Sequence, residues 1–214
     1  MPLFSRSAAT PLFPTVVFEH LVAEPGPLNE KLLRRVMKIR EEQPLWKGKP
    51  RPWQTAPDLH QRTGFRPVVE MVEAAVKIAA DALHWQLDGF AISGMWANVL
   101  ASGEQHPVHA HGNNLFAGVY YVRSPAPDSD RIRFYHPNRA ADVWRPRVTQ
   151  WSVNNSTMWS YPAIEGLLLL FPAWLMHDVG VLGETGERVS ISFNVAPRGS
   201  LEVPDSLQHA TYGG

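Results

Sequence analysis

The sequence predicts a mainly β protein with helices in its N-terminal part, folded as a β double layer of sandwich or barrel type against which the helices pack. Three observations predict it. Short β-rich runs recur from about residue 88 onward, punctuated by Gly, Pro, Asn and Asp. Two segments with helical apolar spacing precede them. The 214-residue chain is 44% hydrophobic and 19% charged, enough apolar material for a substantial core and too much for a disordered chain.

The elements follow in order. Asn29 is predicted to cap a helix starting at Glu30, with Leu32, Leu33, Val36, Met37 and Ile39 at helical spacing. Pro67 suits a first helical turn, and Val68, Met71, Val72, Ala75, Val76, Ala79 and Leu83 continue as an apolar stripe. Both stripes read as core-packing faces. Residues 43–66, rich in Pro, Trp and charge, read as an ordered loop between the helices. Strands are predicted at 90–100, 115–122, 131–135, 166–171 and 188–195. No internal repeat or low-complexity segment interrupts the chain. The expectation is one domain over 1–214, with a helical part (1–87) packing on a β core (88–200).

Composition narrows the chemistry. Twenty basic and twenty acidic side chains cancel, which removes the electrostatic footprint of a nucleic-acid or anionic-membrane binder. Without cysteine there is no disulfide, no thiolate nucleophile and no cysteine-based metal site. Any metal must be held by His, Asp, Glu, Asn or backbone. No apolar run approaches the roughly 20 residues of a membrane span. The first residues lack a basic stretch followed by a long apolar core, so no signal peptide and a cytoplasmic location are expected. Trp46, Trp53, Trp144, Trp151 and Trp159 read as loop anchors before they read as a substrate cleft.

The chemistry concentrates in HPVHAHGNNLFAGVYYV, residues 106–122. In a strand, residues i and i+2 share a face, so His109 and His111 would project together as a two-ligand site. Imidazole suits Fe(II), Zn, Cu or Ni. A further histidine, His177, follows the apolar run in LLLLFPAWLMHDV and is expected at the end of a strand entering the core. Eleven residues later, Arg188 and Ser190 share one face of the next predicted strand, where an arginine offers a two-donor fork to a carboxylate.

This ordered set resembles the 2-oxoglutarate and Fe(II)-dependent oxygenases. It is closest to a bacterial and phage subgroup with a pattern like HxHPxSxLSGVYYV, then PxxGxLLLFPSWLxHxV, then RISISFN. The corresponding stretches here are HAHGNNLFAGVYYV, PAIEGLLLLFPAWLMHDV and RVSISFN, and LFPTVVFEHL and RPWQTAPDLH resemble the subgroup's N-terminal half. The resemblance implies a double-stranded β-helix of the jelly-roll, cupin-like type. It implies Fe(II) as metal, 2-oxoglutarate as cosubstrate, and O2 with a small-molecule substrate as the other reactants. His177 becomes the distal iron ligand, and Arg188 with Ser190 grips the remote carboxylate of 2-oxoglutarate. Tyr121 corresponds to an inward tyrosine that binds the cosubstrate in related prolyl hydroxylases; a core aromatic is the alternative. The resemblance also sets Asn98 and Trp96 of GMWANVL beside the site, with Asn98 as a cosubstrate hydrogen-bond partner or a core amide. Asn194 has the same two readings.

One ligand departs from the pattern. The usual facial triad is two histidines and a carboxylate, yet two residues after His109 stands His111, and two residues after His111 stands Asn113. Asp178 adjoins His177 but points the other way in an extended chain, and Glu104 lies upstream in a turn. Three readings follow: a three-histidine site of His109, His111 and His177; a two-histidine site completed by water or halide; or a site without turnover. The first follows most directly from HxH geometry. His106 is expected at the mouth or surface. A cupin-type three-histidine enzyme and a non-catalytic ligand-binding barrel are the rival functions, and an arginine facing the metal separates the oxygenase from both.

Overall fold

A computed structural model describes residues 3–43, 52–127, 129–138, 143, 146–183 and 186–213. Its elements run β1 (Phe18–Leu21), α1 (Gly26–Glu42), β2 (Trp53–Gln54), α2 (Arg66–Ala82), β3 (Gly89–Ala101), β4 (His106–His109), β5 (Phe116–Arg123), β6 (Arg131–Tyr135), β7 (Met158–Pro162), β8 (Leu167–Pro172), β9 (His177–Val179), β10 (Glu187–Leu201) and β11 (Ala210–Tyr212). A major sheet of seven strands has the order β1-β8-β5-β10-β3-β2, with β11 added to β10. A minor sheet of four has the order β4-β9-β6-β7. The two sheets form the jelly-roll of a double-stranded β-helix, as the sequence predicts.

The major sheet is covered on both faces, and this is why β5 and β8 are apolar almost throughout. Along β8, Leu168 and Leu170 join the helix-side core while Leu167, Leu169 and Phe171 join the core between the sheets. Each fully buried leucine there contributes about 2 kcal/mol. β10 alternates differently. Val189, Ile191, Phe193 and Val195 pack under the helices, while Arg188, Ser190 and Ser192 face the space between the sheets. A strand with one apolar and one polar face therefore carries chemistry on the polar one. Gly118 is fixed by packing, because a Cβ there would collide with the Phe193 ring and the Leu169 carbonyl.

Both helices lie where their stripes predict, and Pro67 sits in the first turn of α2. Asn29 is not a cap. The helix begins four residues earlier than expected, at Gly26 after Pro25, and the Asn29 backbone N–H donates to the Pro25 carbonyl at 2.8 Å. Its side chain is buried and accepts a hydrogen bond from the Tyr120 hydroxyl at 2.7 Å, joining α1 to β5. Of the predicted loop at 43–66, residues 44–51 lie outside the described residues; the rest holds β2 and two short 3-10 turns. Trp53 is buried and donates to the Gln43 carbonyl at 3.0 Å, as an anchor should, but Trp151 and Trp159 are exposed. Trp46 and Trp144 lie outside the described residues. Among the described residues no helix is long and apolar enough to cross a membrane.

Candidate metal centre

A cavity of about 520 Å³, counted to its open mouth, lies between the sheets. The minor sheet supplies His109 at the end of β4 and His177 at the start of β9, directly opposite each other in the ladder. His177 thus opens its own strand, after β8 has ended at Pro172 and a tight turn has carried the chain to the other sheet. His111 lies just beyond β4, not within it, and its backbone N–H donates to the Ala173 carbonyl at 2.8 Å. The pair does not share one strand as predicted, yet both rings reach the same cavity.

One ring nitrogen from each of His109, His111 and His177 lies within 4.8 Å of the others. The His111 and His177 Nε2 atoms are 3.3 Å apart. Two imidazole nitrogens bound at ~2.1 Å to one ion stand ~3.0 Å apart at a right angle and ~3.4 Å apart at the tetrahedral angle. The spacing suits a shared ion. Backbone carbonyls orient two of the rings: the Nδ1–H of His177 donates to Leu175 at 2.9 Å, and that of His109 to Pro107 at 2.7 Å. Each bond leaves Nε2 with its lone pair free. Phe171 meets His177 edge-on at 4.8 Å, and Trp96 lies 6.0 Å from His111. Burial, then the neighbouring His109, pushes His111 down to about 4. Burial likewise brings His177 to about 4, although the Leu175 hydrogen bond opposes it. Both rings are neutral at pH 7, the form that binds metal.

The major sheet supplies the other wall. Asn98, Ser190 and Tyr121 sit side by side on β3, β10 and β5, with Ser190 paired to each of the others. Asn98 accepts from Gln54 Nε2 at 2.8 Å and donates to Ser192 Oγ at 2.9 Å. The Tyr121 hydroxyl is buried without a partner, and burial raises its pKa. Arg188 is 2% exposed, and its Nη1 donates to Asp130 at 2.6 Å while its Nε has no partner. Two orphaned donors, Arg188 Nε and Tyr121 Oη, thus belong to side chains of the same cavity wall.

Among the described residues, no acid stands beside the three histidines. Asp178 is clasped on the outer face of the minor sheet, with Arg133 on both carboxylate oxygens at 2.7 Å and the Tyr135 hydroxyl at 2.8 Å. Burial acts to raise its pKa, but these hydrogen bonds and the Arg133 charge outweigh burial and hold it below the usual range. Glu104 closes its own turn by accepting from the Ala101 N–H at 2.8 Å. Asn113 occupies an exposed turn at φ 62°. Asn194 does not line the cavity.

Sequence reasoning misses three lining or supporting residues, Gln54, Ser192 and Asp130, and leaves a fourth, His106, between mouth and surface. A β-bulge between His106 and His109 puts both on the inner face, so of its two expected positions, mouth or surface, His106 takes the first and lines the cavity. Burial, Arg188 and His109 lower it to about 4. Gln54 and Ser192 complete the amide chain. Asp130, in the turn-like run PAPDSDR, is 3% exposed and carried no signal beyond preceding a predicted strand.

A double-stranded β-helix with a three-histidine cavity and an arginine on the facing sheet defines the class: the fold of the 2-oxoglutarate oxygenases. Residues 94–194 match the family described as "Putative 2OG-Fe(II) oxygenase". Over this β core, sequence and fold both match the 2-oxoglutarate/Fe(II)-dependent oxygenases. Among solved structures, the chain is similar to the non-heme α-ketoglutarate-dependent epimerase SnoN from nogalamycin biosynthesis, with 9% identity, a TM-score of 0.65, and 90% of this chain and 81% of that one covered. It is similar to a Pseudomonas putida prolyl-4-hydroxylase, with 14% identity, a TM-score of 0.62, and coverage of 86% and 94%. HygX from Streptomyces hygroscopicus, solved with nickel and 2-oxoglutarate, matches at 14% identity and a TM-score of 0.60, with coverage of 92% and 91%. At these identities the likeness is one of fold. No curated protein matches the sequence.

Proposed function

We propose that the protein is an Fe(II)- and 2-oxoglutarate-dependent oxygenase that carries out hydroxylase-type oxidation of a small molecule. On this reading 1–214 works as one domain. His109, His111 and His177 hold the iron as a three-histidine site, and Arg188, Tyr121, Ser190 and Asn98 hold the cosubstrate. The observation that carries the reading is the pairing of two ends in one cavity. Three imidazoles converge at one, and the orphaned Arg188 Nε and Tyr121 Oη mark the other. A dicarboxylic acid that chelates a metal through one end needs such donors for its far carboxylate.

When bound, iron and 2-oxoglutarate supply oxygen activation coupled to decarboxylation of the cosubstrate to succinate. The chain does the rest. The Leu175 and Pro107 carbonyls fix the tautomers of His177 and His109, so neither ring must reorganise to ligate. Arg188 and Tyr121 orient the far carboxylate in a site from which bulk water is largely excluded, where their hydrogen bonds count for more than in solvent. The cupin-type and non-catalytic readings give Arg188 only its ion pair with Asp130 and leave its buried Nε without a partner.

Anaerobic Fe(II) plus 2-oxoglutarate is expected to give a weak visible metal-to-ligand charge-transfer band. His177→Ala should abolish it, and Arg188→Ala should require far more 2-oxoglutarate. A wild-type spectrum indifferent to 2-oxoglutarate would refute the proposal.

A further inference from the structure

The cosubstrate wall contains a buried acid to which neither the fold nor the ligand pattern assigns a role. Asp130 immediately precedes β6 of the minor sheet, and Arg188 stands on β10 of the major sheet, so their 2.6 Å bond ties the two sheets together. Both side chains are buried, at 1% and 2% exposure. The Asp130 backbone is itself pinned, its N–H donating to Ala126 at 2.8 Å and its carbonyl accepting from Ala163 at 2.9 Å. The Ser124 hydroxyl adds a longer contact, 3.4 Å, to the other carboxylate oxygen. Asp130 is a fixed point; Arg188 is a long side chain attached to it.

A guanidinium has a fork geometry, and which nitrogens are occupied decides which edge is offered. Asp130 takes Nη1. That leaves the edge formed by Nε and Nη2, and Nε is the nitrogen without a partner. An edge with two parallel donors matches a carboxylate bidentately. The geometry points to Asp130 as a positioning residue, which holds Arg188 by one nitrogen so that its Nε–Nη2 edge faces the far carboxylate of a dicarboxylic 2-oxo acid. The inference rests on the proposed function and adds to it the residue that sets cosubstrate selectivity. Asp130 touches neither the three histidines nor the cosubstrate; it acts through Arg188.

The test compares two 2-oxo acids on the Fe(II)-loaded protein without oxygen. 2-Oxoglutarate has the far carboxylate and pyruvate lacks it. Asp130→Asn should raise the dissociation constant of 2-oxoglutarate about tenfold or more, the scale of a hydrogen bond to a charged group. It should leave pyruvate binding and Co(II) binding unchanged. Asp130→Glu keeps the charge and should restore part of the loss. Equal weakening of both acids, or of Co(II), would assign Asp130 to the fold alone and overturn the inference; so would wild-type affinity for 2-oxoglutarate in Asp130→Asn. If Asp130→Asn does not fold, Asp130→Glu decides, because its longer side chain displaces the fork: selective weakening of 2-oxoglutarate supports the role, and none refutes it. Wild-type protein that ignores 2-oxoglutarate removes the functional reading itself, a different result from an intact wild type with an indifferent Asp130 variant.

Discussion

Asp178→Asn separates structure from ligation at the histidine cluster. The carboxylate receives three hydrogen bonds, two from Arg133 at 2.7 Å and one from Tyr135 at 2.8 Å. Asparagine keeps the shape, removes the charge and turns one acceptor into a donor that faces donors. Bonds to charged groups contribute about 1.5–3 kcal/mol each when well shielded. Arg133 is 38% exposed, so solvent screens the pair and the bonds do not sum. The expected loss is about 2–3 kcal/mol in urea unfolding, or ~5–10 °C in Tm for a chain of this size. The sign with pH follows from the depressed pKa. The contribution is complete above the unfolded value of about 3.9 and is lost as pH falls through the lower folded value. The gap between wild type and variant should therefore close only in strong acid. Co(II) binding should survive, because the carboxylate faces away from the three imidazoles. A folded Asp178→Asn protein that no longer binds Co(II) would make Asp178 a ligand and refute this account of the centre.

Two further outcomes test the packing that carries the site. Gly118→Ala should cost about 3 kcal/mol in chemical denaturation, because the new methyl meets the Phe193 ring, with Cε2 at 2.6 Å, and the Leu169 carbonyl together; a change near zero would mean that the strands are looser than described. Tyr120→Phe should lose about 1–3 kcal/mol by stripping Asn29 of its remaining buried partner. Asn29→Leu with Tyr120→Phe should recover most of that loss, and additive losses in the cycle would show that the two groups do not interact.

The fold was legible wherever burial imposes a period. Helical stripes and strands buried on one or both faces announce themselves, and so β3, β5, β6, β8, β10 and both helices were found. Of the missed strands, β1, β2, β4, β9 and β11 have two to four residues each, too few to show a period, and β7, as long as β6, lacks its alternation of buried and half-buried positions. Two of them, β4 and β9, carry His109 and His177, so the converging histidines are legible by residue type and order while their strands are not. For His106 the sequence leaves mouth and surface open, because a bulge breaks the alternation on which a reading of faces depends. Asn29 was misread because a polar residue near a helix start suggests a cap, and nothing local reveals that Tyr120 of a distant strand lies above it. Asp130 was silent for the same reason: its partner is 58 residues away.

The absent carboxylate and the unexpected one belong to a single charge balance. A divalent iron held by two histidines and a carboxylate keeps one positive charge; with an arginine and the two negative charges of 2-oxoglutarate, the loaded site sums to zero. In the proposed site, three neutral imidazoles would leave the ion its full double charge, which 2-oxoglutarate alone would cancel, and a buried arginine would then be one charge too many. Asp130 removes it. The acid missing at position 111 has a counterpart at the other end of the cavity, and restoring it should therefore overload the site with negative charge. His111→Asp is expected to keep Co(II) binding but to weaken 2-oxoglutarate. A unit charge ~6 Å from another at an effective dielectric of ~20 is worth about 2–3 kcal/mol, or tens of times in affinity. Titration of the anaerobic Fe(II) protein measures it. If His111→Asp binds 2-oxoglutarate as tightly as wild type does, the two acids are unrelated, and Asp130 has no part in compensating for the histidine at 111.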